Sequence, residues 1–231
     1  MKLPVFLDDL GMLLYPDYCR GCGINLPKGE SLICVGCQIR LPRSGFYNYE
    51  QNPVARLFWG RLPLESAFSY LHFSKKGLVQ NLMHELKYKQ CPELGVKLGK
   101  LFASELEMVN VGRPVDCVVP VPLHPRKELL RGYNQSRVIA EGISDVWGVE
   151  LIQPLERRVE TETQTRKSKF ERWQNVGESF GLKSSDSLEG RHVLLLDDVI
   201  TTGATIEACA QEILKIRDVR LSVASLAFPL N

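Results

Sequence analysis

The sequence predicts an α/β protein: a largely parallel sheet with flanking helices, preceded by a small N-terminal metal-binding module. Three observations predict it. From about residue 66, short apolar runs alternate with amphipathic stretches of helical period, in the order strand, helix, strand, helix, strand. One of those runs, "HVLLLDD" at 192–198, is apolar without a break before its acids, as a strand buried on both faces must be. Four of the seven cysteines are confined to residues 19–37, as two C-x2-C pairs.

A chain of 231 residues with 44% hydrophobic content can bury one good core and carry an appendage, but hardly two full domains. Its 29 basic and 27 acidic side chains leave a net charge of +2, too mild a balance to imply a nucleic-acid partner by itself. The first residues, "MKLPVFLDDLGMLLYP", are interrupted by Asp8 and Asp9 where a signal peptide needs an uncharged apolar run, and no stretch approaches the roughly 18 apolar residues of a spanning helix. The expectation is a soluble, cytoplasmic protein with no membrane insertion. Its organisation is expected to be 1–42 for an N-terminal helix (Val5 to Leu14) and the cysteine module, 43–65 for a linker, and 66–231 for the α/β domain.

Taken in order, residues 42–65 hold three prolines and little periodicity, which suggests the linker. "SAFSYLHFS" alternates like a strand, and from Gly77 the period becomes helical, with Leu78, Leu82 and Leu86 four apart. A second helix follows Pro92, with Leu94, Leu98, Leu101 and Phe102 on one face. "VDCVVPVP" has buried-strand character, and "NQSRVIAEGISDVWG" is helical with Val138, Ile139, Ile143, Val146 and Trp147 inward and Gly148 at its end. Residues 151–180 are polar and weakly periodic. After "HVLLLDD", the segment "TIEACAQEILKI" places Ile206, Cys209, Ala210 and Ile213 on one helical face, and "RLSVASLAF" closes the sheet. His72 and His84 lack metal-spaced partners and are expected to be structural or surface histidines.

In "CRGCGINLPKGESLICVGC" each C-x2-C pair can form a tight knuckle, and two knuckles supply Cys19, Cys22, Cys34 and Cys37 as the four soft ligands of a structural Zn2+. Two disulfides or a redox pair use the same spacing, but disulfides need an oxidising compartment that nothing else in the sequence supports. A closed four-ligand site leaves no open position for catalysis, so the module is expected to stabilise the fold or to dock a partner. Cys91, Cys117 and Cys209 lie in apolar surroundings and are expected to be buried small hydrophobes.

The stretch "LLLDDVITTGAT" at 194–205 asks for a ligand. Parallel α/β sheets bind ligands at the carboxyl ends of their strands, where Asp197 and Asp198 fall. Thr201, Thr202, Gly203, Ala204 and Thr205 can wrap a phosphate with hydroxyls and backbone N–H groups at a helix N-terminus. The acids cannot share that phosphate; they suit the vicinal hydroxyls of a ribose, which donate to carboxylates. Paired acids also end the magnesium strand of P-loop ATPases, but the nearest candidate for G-x-x-x-x-G-K-[ST], "GVKLGKL" from Gly95, has the wrong spacing and sits in a predicted helix. A plain buried strand and turn would have no use for two adjacent acids followed by T-T-G.

Residues 193–205 match the phosphoribosyl-pyrophosphate signature of type I phosphoribosyltransferases, and the chain as a whole resembles the ComF family of competence-associated proteins. The resemblance covers the four-cysteine module, "HELKY", "VPVPLHPRK", "RGYNQS", the pattern from Gln164 to Asn175 and the signature itself. It departs at "KIRDVRLS", where the family has a glycine-bearing turn. The resemblance implies a type I phosphoribosyltransferase-like domain that binds phosphoribosyl pyrophosphate with Mg2+, the catalytic Asp197 and Asp198 contacting the ribose hydroxyls and Thr201 to Thr205 the 5-phosphate.

Pyrophosphate needs cations, and "VPVPLHPRKELLRGYNQS" offers Arg126, Lys127 and Arg131 with His124 nearby. Basic loops are usually only solvated surface; the resemblance makes residues 121–127 the pyrophosphate loop. Residues 154–176 suit a flap over the reaction centre or an exposed hairpin, with Arg157, Arg158, Gln164, Arg172 and Asn175 as the family-matching positions. Magnesium would be held mainly by the substrate's own oxygens. The acceptor cannot be read from these residues. The resemblance implies a role in DNA uptake and natural transformation, with a competence helicase and DNA-processing proteins as partners. A different class of function, a non-catalytic adaptor binding single-stranded DNA, would use the same basic loops with Phe58, Trp59, Tyr133 or Trp173 as stacking platforms.

Overall fold

The computed structural model describes residues 17–46, 52–109, 115–158, 180–184 and 187–229. The expected helix from Val5 to Leu14 and the positions Gln164, Arg172, Trp173 and Asn175 lie outside the described residues. The ordered elements are α1 (Val35–Ile39), α2 (Pro53–Arg56), β1 (Ser66–Phe73), α3 (Leu78–Tyr88), α4 (Pro92–Met108), β2 (Cys117–Pro120), α5 (Pro125–Arg131), α6 (Gln135–Trp147), β3 (Glu150–Leu151), β4 (Leu155–Arg157), β5 (Phe180–Leu182), β6 (His192–Val199), α7 (Ala204–Ile213) and β7 (Arg220–Pro229). Among the described residues no helix is long and apolar enough to cross a membrane.

Five strands form one parallel sheet in the order β1-β7-β6-β2-β3. Period-2 alternation divides its side chains between two hydrophobic clusters, one on each face. Along β6, Leu194 and Leu196 join one cluster, while Val193 and Leu195 join the other. The first face is covered by α3, α4 and α6, the second by α2 and α7. The strand read as buried on both faces is therefore so: residues 193–196 of β6 are each 0% exposed. A separate antiparallel pair, β4 with β5, matches Leu155 to Leu182 and Arg157 to Phe180.

Helices α4 and α6 meet backbone to backbone. A Cβ on Gly99 would collide with the Ile139 carbonyl, and one on Gly142 with the Val96 carbonyl. The indole of Trp147 closes the pair by donating to Ala103 O at 3.3 Å.

Two regions differ from the sequence reading. The stretch expected to be a linker is part of the core: Val54, Ala55 and Phe58 are 0–1% exposed in the second cluster. Asn52 caps the single turn of α2, accepting from Val54 N at 2.8 Å. One helical turn is too short to display a 3.6-residue period, so prolines dominated the pattern. The cysteine module, expected as an appendage, shares the first cluster with α3 and α4, since Cys19, Ile33, Cys37 and Leu41 pack there. Asn81 donates to Gly21 O at 3.1 Å, Lys97 to Ser31 O at 2.8 Å, and Arg20 pairs with Glu85 at 3.3 Å.

Candidate functional site

After β2 the chain crosses one face of the sheet through α6 to reach β3; after β6 it crosses the other face through α7 to reach β7. Strands β2 and β6 are neighbours, with Pro120 opposite Leu196. Their diverging connections leave a crevice beyond the carboxyl ends, the switch point where open α/β sheets hold ligands. Asp197 and Asp198 stand on the β6 side of it and the His124 loop on the β2 side.

The acid pair is held by donors from three elements. Asp197 Oδ1 accepts the Ser136 hydroxyl at 3.0 Å and the Asp198 amide at 2.8 Å. Ser136 is in place because Asn134, 6% exposed, caps α6 by accepting from Ser136 N at 3.0 Å and donates to Val121 O at 2.9 Å. The "RGYNQS" motif thus ties the β2 loop to the acid pair. Asp198 forms an ion pair with Lys87 of α3, Nζ to Oδ2 at 2.7 Å. Burial, and then the negative charge of Asp198, push the Asp197 carboxyl up to about 7 against its hydrogen bonds from Asp198 N and Ser136 and the nearby Lys87. Two carboxylates in one crevice cannot both ionise freely.

Beyond β6, Ile200 is buried and its amide donates to Ala227 O at 3.2 Å, so the turn starts from a fixed point. Thr201 and Thr202 are exposed, and Ala204 and Thr205 half-buried. Gly203 is the N-cap of α7 with φ 78°, and a Cβ there would stand 2.8 Å from Phe58 Cε1. Glycine is required on both counts, conformation and space. The first-turn amides of α7 have no intrahelical partners and are offered at this turn. An acid in that turn, Glu207, would oppose an anion, but Arg61 holds it in a bidentate pair, Nε to Oε1 at 3.1 Å. Phe58 and Arg61 come from the stretch read as linker.

On the β2 side, His124 caps α5, its Nδ1 accepting from Arg126 N at 3.2 Å, which leaves the ring proton on Nε2 while that bond is made. Arg131 lies in the last turn of α5, its guanidinium 5.9 Å from the Tyr88 ring centroid and 2.6 Å from Gln135 Oε1. Lys127 and Arg131 line a cleft of about 370 Å3 with Lys87, Tyr88, Gln90 and Leu130. Helix α5 buries none of its residues, and Leu129 and Leu130 are 87% and 80% exposed. Tyr133 is not a free platform: its hydroxyl donates to Leu86 O. Arg157 lies over the Phe180 ring at 5.2 Å and Arg158 pairs with Glu156 at 2.8 Å, both at the root of the β4–β5 pair.

The structure therefore brings Asp197, Asp198, Ser136 and Lys87 together, and sets the 201–205 turn beside them on the same β6 end. Sequence reasoning missed Lys87, Ser136 and Arg61, and read Phe58 as a stacking platform where it is buried against Gly203. Lys87 and Ser136 lie in the "HELKY" and "RGYNQS" motifs, of which only Arg131 and Tyr133 carry a role in the sequence reading.

The four cysteines of the module form a cluster whose sulfurs all lie within 4.8 Å of one another. Cys22 Sγ is 3.8 Å from Cys34 Sγ, close to the edge of about 3.8 Å that a sulfur tetrahedron has around zinc at about 2.3 Å. None of the seven cysteines is in a disulfide. Backbone amides of Cys34 and Cys37 donate to Cys19 Sγ and Cys34 Sγ, each at 3.3 Å. Burial opposes ionisation of Cys19, yet amides of Cys34, Cys22 and Gly21 bring its thiol down to about 6; burial and then the sulfurs of Cys22, Cys34 and Cys19 push Cys37 up. A cluster whose members resist ionising together suits a cation such as zinc.

No protein-family model matches the chain. It is 33% identical over 216 residues to the DNA utilization protein YhgH of Salmonella typhi, covering 88% of this chain and 93% of that one. It is 32% identical over 222 residues to competence protein F of Haemophilus influenzae, covering 91% and 95%. Solved structures similar to it include the glutamine phosphoribosylpyrophosphate amidotransferase from Bacillus subtilis, at 17% identity and TM-score 0.41 over 62% of this chain and 30% of that one. Another is adenine phosphoribosyltransferase from Saccharomyces cerevisiae, at 19% identity and TM-score 0.38 over 60% and 70%. Two relatives above 30% identity along most of their length and of this one place it: the chain belongs to the ComF family of competence-associated proteins, with DNA utilization protein YhgH and competence protein F.

Proposed function

We infer that this protein binds phosphoribosyl pyrophosphate with Mg2+ at the β2–β6 crevice and transfers the phosphoribosyl group to an acceptor, in the service of DNA uptake and utilisation. The observation that carries this reading is the pairing, at one strand end, of two carboxylates with a hydroxyl-rich turn whose Gly203 opens a helix N-terminus. Asp197 and Asp198 accept from the ribose 2- and 3-hydroxyls. Thr201, Thr202 and Thr205, with the backbone of Gly203 and Ala204, hold the 5-phosphate. Lys127 and Arg131 face the diphosphate from the cleft beside the crevice, with Arg126 and His124 at the start of α5 and Arg172 from the 154–176 flap. Magnesium, when bound with the ligand, would supply charge neutralisation for the leaving group. The C1–O bond to pyrophosphate breaks as the acceptor's nucleophile bonds to C1, and water exclusion protects the cationic sugar in between. Zn2+ on Cys19, Cys22, Cys34 and Cys37 holds the N-terminal module, a site that favours a reducing compartment such as the cytoplasm.

A second reading is favoured by the relatives' names, DNA utilization protein and competence protein, and by the exposed Tyr88, Leu129 and Leu130 beside Lys127 and Arg131. Here the chain is a non-catalytic adaptor on single-stranded DNA, working with a competence helicase and DNA-processing proteins. Calorimetric titration of phosphoribosyl pyrophosphate with magnesium into zinc-loaded protein separates the two. Saturable micromolar binding supports the first. No heat with that ligand, together with salt-sensitive binding of a single-stranded oligonucleotide, replaces it with the second.

A further inference from the structure

Lys87 lies in the last turn of α3, far in sequence from both loops that line the crevice. Its Nζ lies 2.7 Å from Asp198 Oδ2, with the two side chains only 24% and 16% exposed. Asp197 already accepts two donors through one oxygen, the Ser136 hydroxyl and the Asp198 amide. Among the described residues the ion pair of Asp198 is with Lys87, so a diol approaching Asp198 Oδ2 would compete with that ammonium. Lys87 also lines the cleft whose other cations are Lys127 and Arg131. One ammonium thus stands at the junction between the acid pair and a cationic cleft. A lysine has three N–H donors on a flexible four-carbon stem, so it can change partners without the backbone moving.

We propose that Lys87 is a specificity-determining ligand contact: it pairs with Asp198 in the free protein and turns to the diphosphate in the complex, releasing Asp198 to the ribose hydroxyls. This rests on the reading of the crevice as a phosphoribosyl pyrophosphate site and adds a residue and a partner exchange to it. The exchange couples the two halves of the ligand. A compound with the diol and the 5-phosphate but no diphosphate must displace Lys87 from Asp198 and gives it no anion in return. Lys87 then selects phosphoribosyl pyrophosphate over ribose 5-phosphate, a substrate fragment that differs only in the leaving group.

The test is a pair of calorimetric titrations, phosphoribosyl pyrophosphate with magnesium and ribose 5-phosphate, into the full chain as parent, Lys87→Met and Lys87→Arg, each checked by thermal unfolding. In Lys87→Met the affinity for phosphoribosyl pyrophosphate is expected to fall roughly tenfold or more, the loss of a charge-assisted hydrogen bond, while ribose 5-phosphate stays within about threefold or binds more tightly. Lys87→Arg should restore most of the difference, which a purely structural role would not require. Equal losses for the two ligands, or no loss for phosphoribosyl pyrophosphate, would overturn the proposal while leaving the crevice assignment intact. If the parent binds neither ligand, the crevice assignment itself is wrong and this role goes with it. Should Lys87→Met fail to fold, the same two titrations on Lys87→Gln decide by the same criteria.

Discussion

Asp197 is expected to cost the fold stability at neutral pH, and Asp197→Asn to recover it. The substitution keeps the carbonyl oxygen that accepts from Ser136 Oγ and Asp198 N, and removes only the charge. Burial and then Asp198 push this carboxyl from 3.8 to about 7. A folded pKa above the unfolded one means that the native chain holds a proton between about pH 4 and 7 that the unfolded chain has lost, so parent stability falls as pH rises through that window. Three units at about 1.4 kcal/mol each set a ceiling of about 4 kcal/mol. Asp197 is only half-buried, and solvent screens part of the effect, so about half, 2 kcal/mol, is the working figure. For a chain of this size that is a rise in Tm of about 4–8 °C at pH 8, shrinking toward zero near pH 4. Thermal unfolding of parent and variant across pH 4 to 8.5 measures it directly. Equal melting at every pH, or a less stable variant at pH 8, would refute the reasoning. Loss of phosphoribosyl pyrophosphate binding in the more stable variant would mark a site where function is kept at the expense of stability.

Two other outcomes are expected. Gly203→Ala should destabilise by about 2 kcal/mol, from the left-handed conformation and the collision with Phe58, and weaken binding of a 5-phosphate ligand. Adding Phe58→Leu should return only the steric part, and a neutral Gly203→Ala in urea denaturation would mean the turn does not need glycine. Chelation of zinc under reducing conditions should lower the melting of the whole chain in one transition, because Cys19, Ile33, Cys37 and Leu41 share a cluster with Leu82 and Leu86. Calorimetry showing an unchanged upper transition beside a lost lower one would instead make the module an independent unit.

Much of this was legible. The unbroken run of β6 and the helical periods of α3, α4, α6 and α7 gave the sheet and its layers, because burial on two faces or one leaves a direct trace in apolar spacing. Asp197 and Asp198 stood out because no packing role explains two acids ending a buried strand, and Gly203 because the turn that follows them calls for glycine. Lys87 and Ser136 did not: a lysine in a final helical turn and a serine in a first turn look like ordinary caps or surface. Only tertiary structure brings Ser136 across 61 positions to Asp197. The departure at "KIRDVRLS" has a physical resolution. Asp218 takes φ 54°, the left-handed region that a glycine would occupy there, and aspartate is among the few other residues that enter it readily.

The stretch least legible in sequence braces the candidate phosphate turn. An α/β phosphate site needs a turn that stays open to the ligand yet does not collapse without it, and here Phe58 packs where a side chain on residue 203 would sit. Arg61 solves a second problem. Glu207 is 6% exposed in the first turn of α7, where its charge favours the helix dipole but would repel an incoming phosphate. Pairing it with Arg61 cancels that repulsion and leaves the first-turn amides as the dominant local field. The same pair ties Arg61 to α7, while Phe58 is held in place separately by its packing in the second cluster. Proline-rich, aperiodic sequence between 43 and 65 carries these contacts because their geometry is set by single side chains reaching a distant turn, and no regular element is required to hold them.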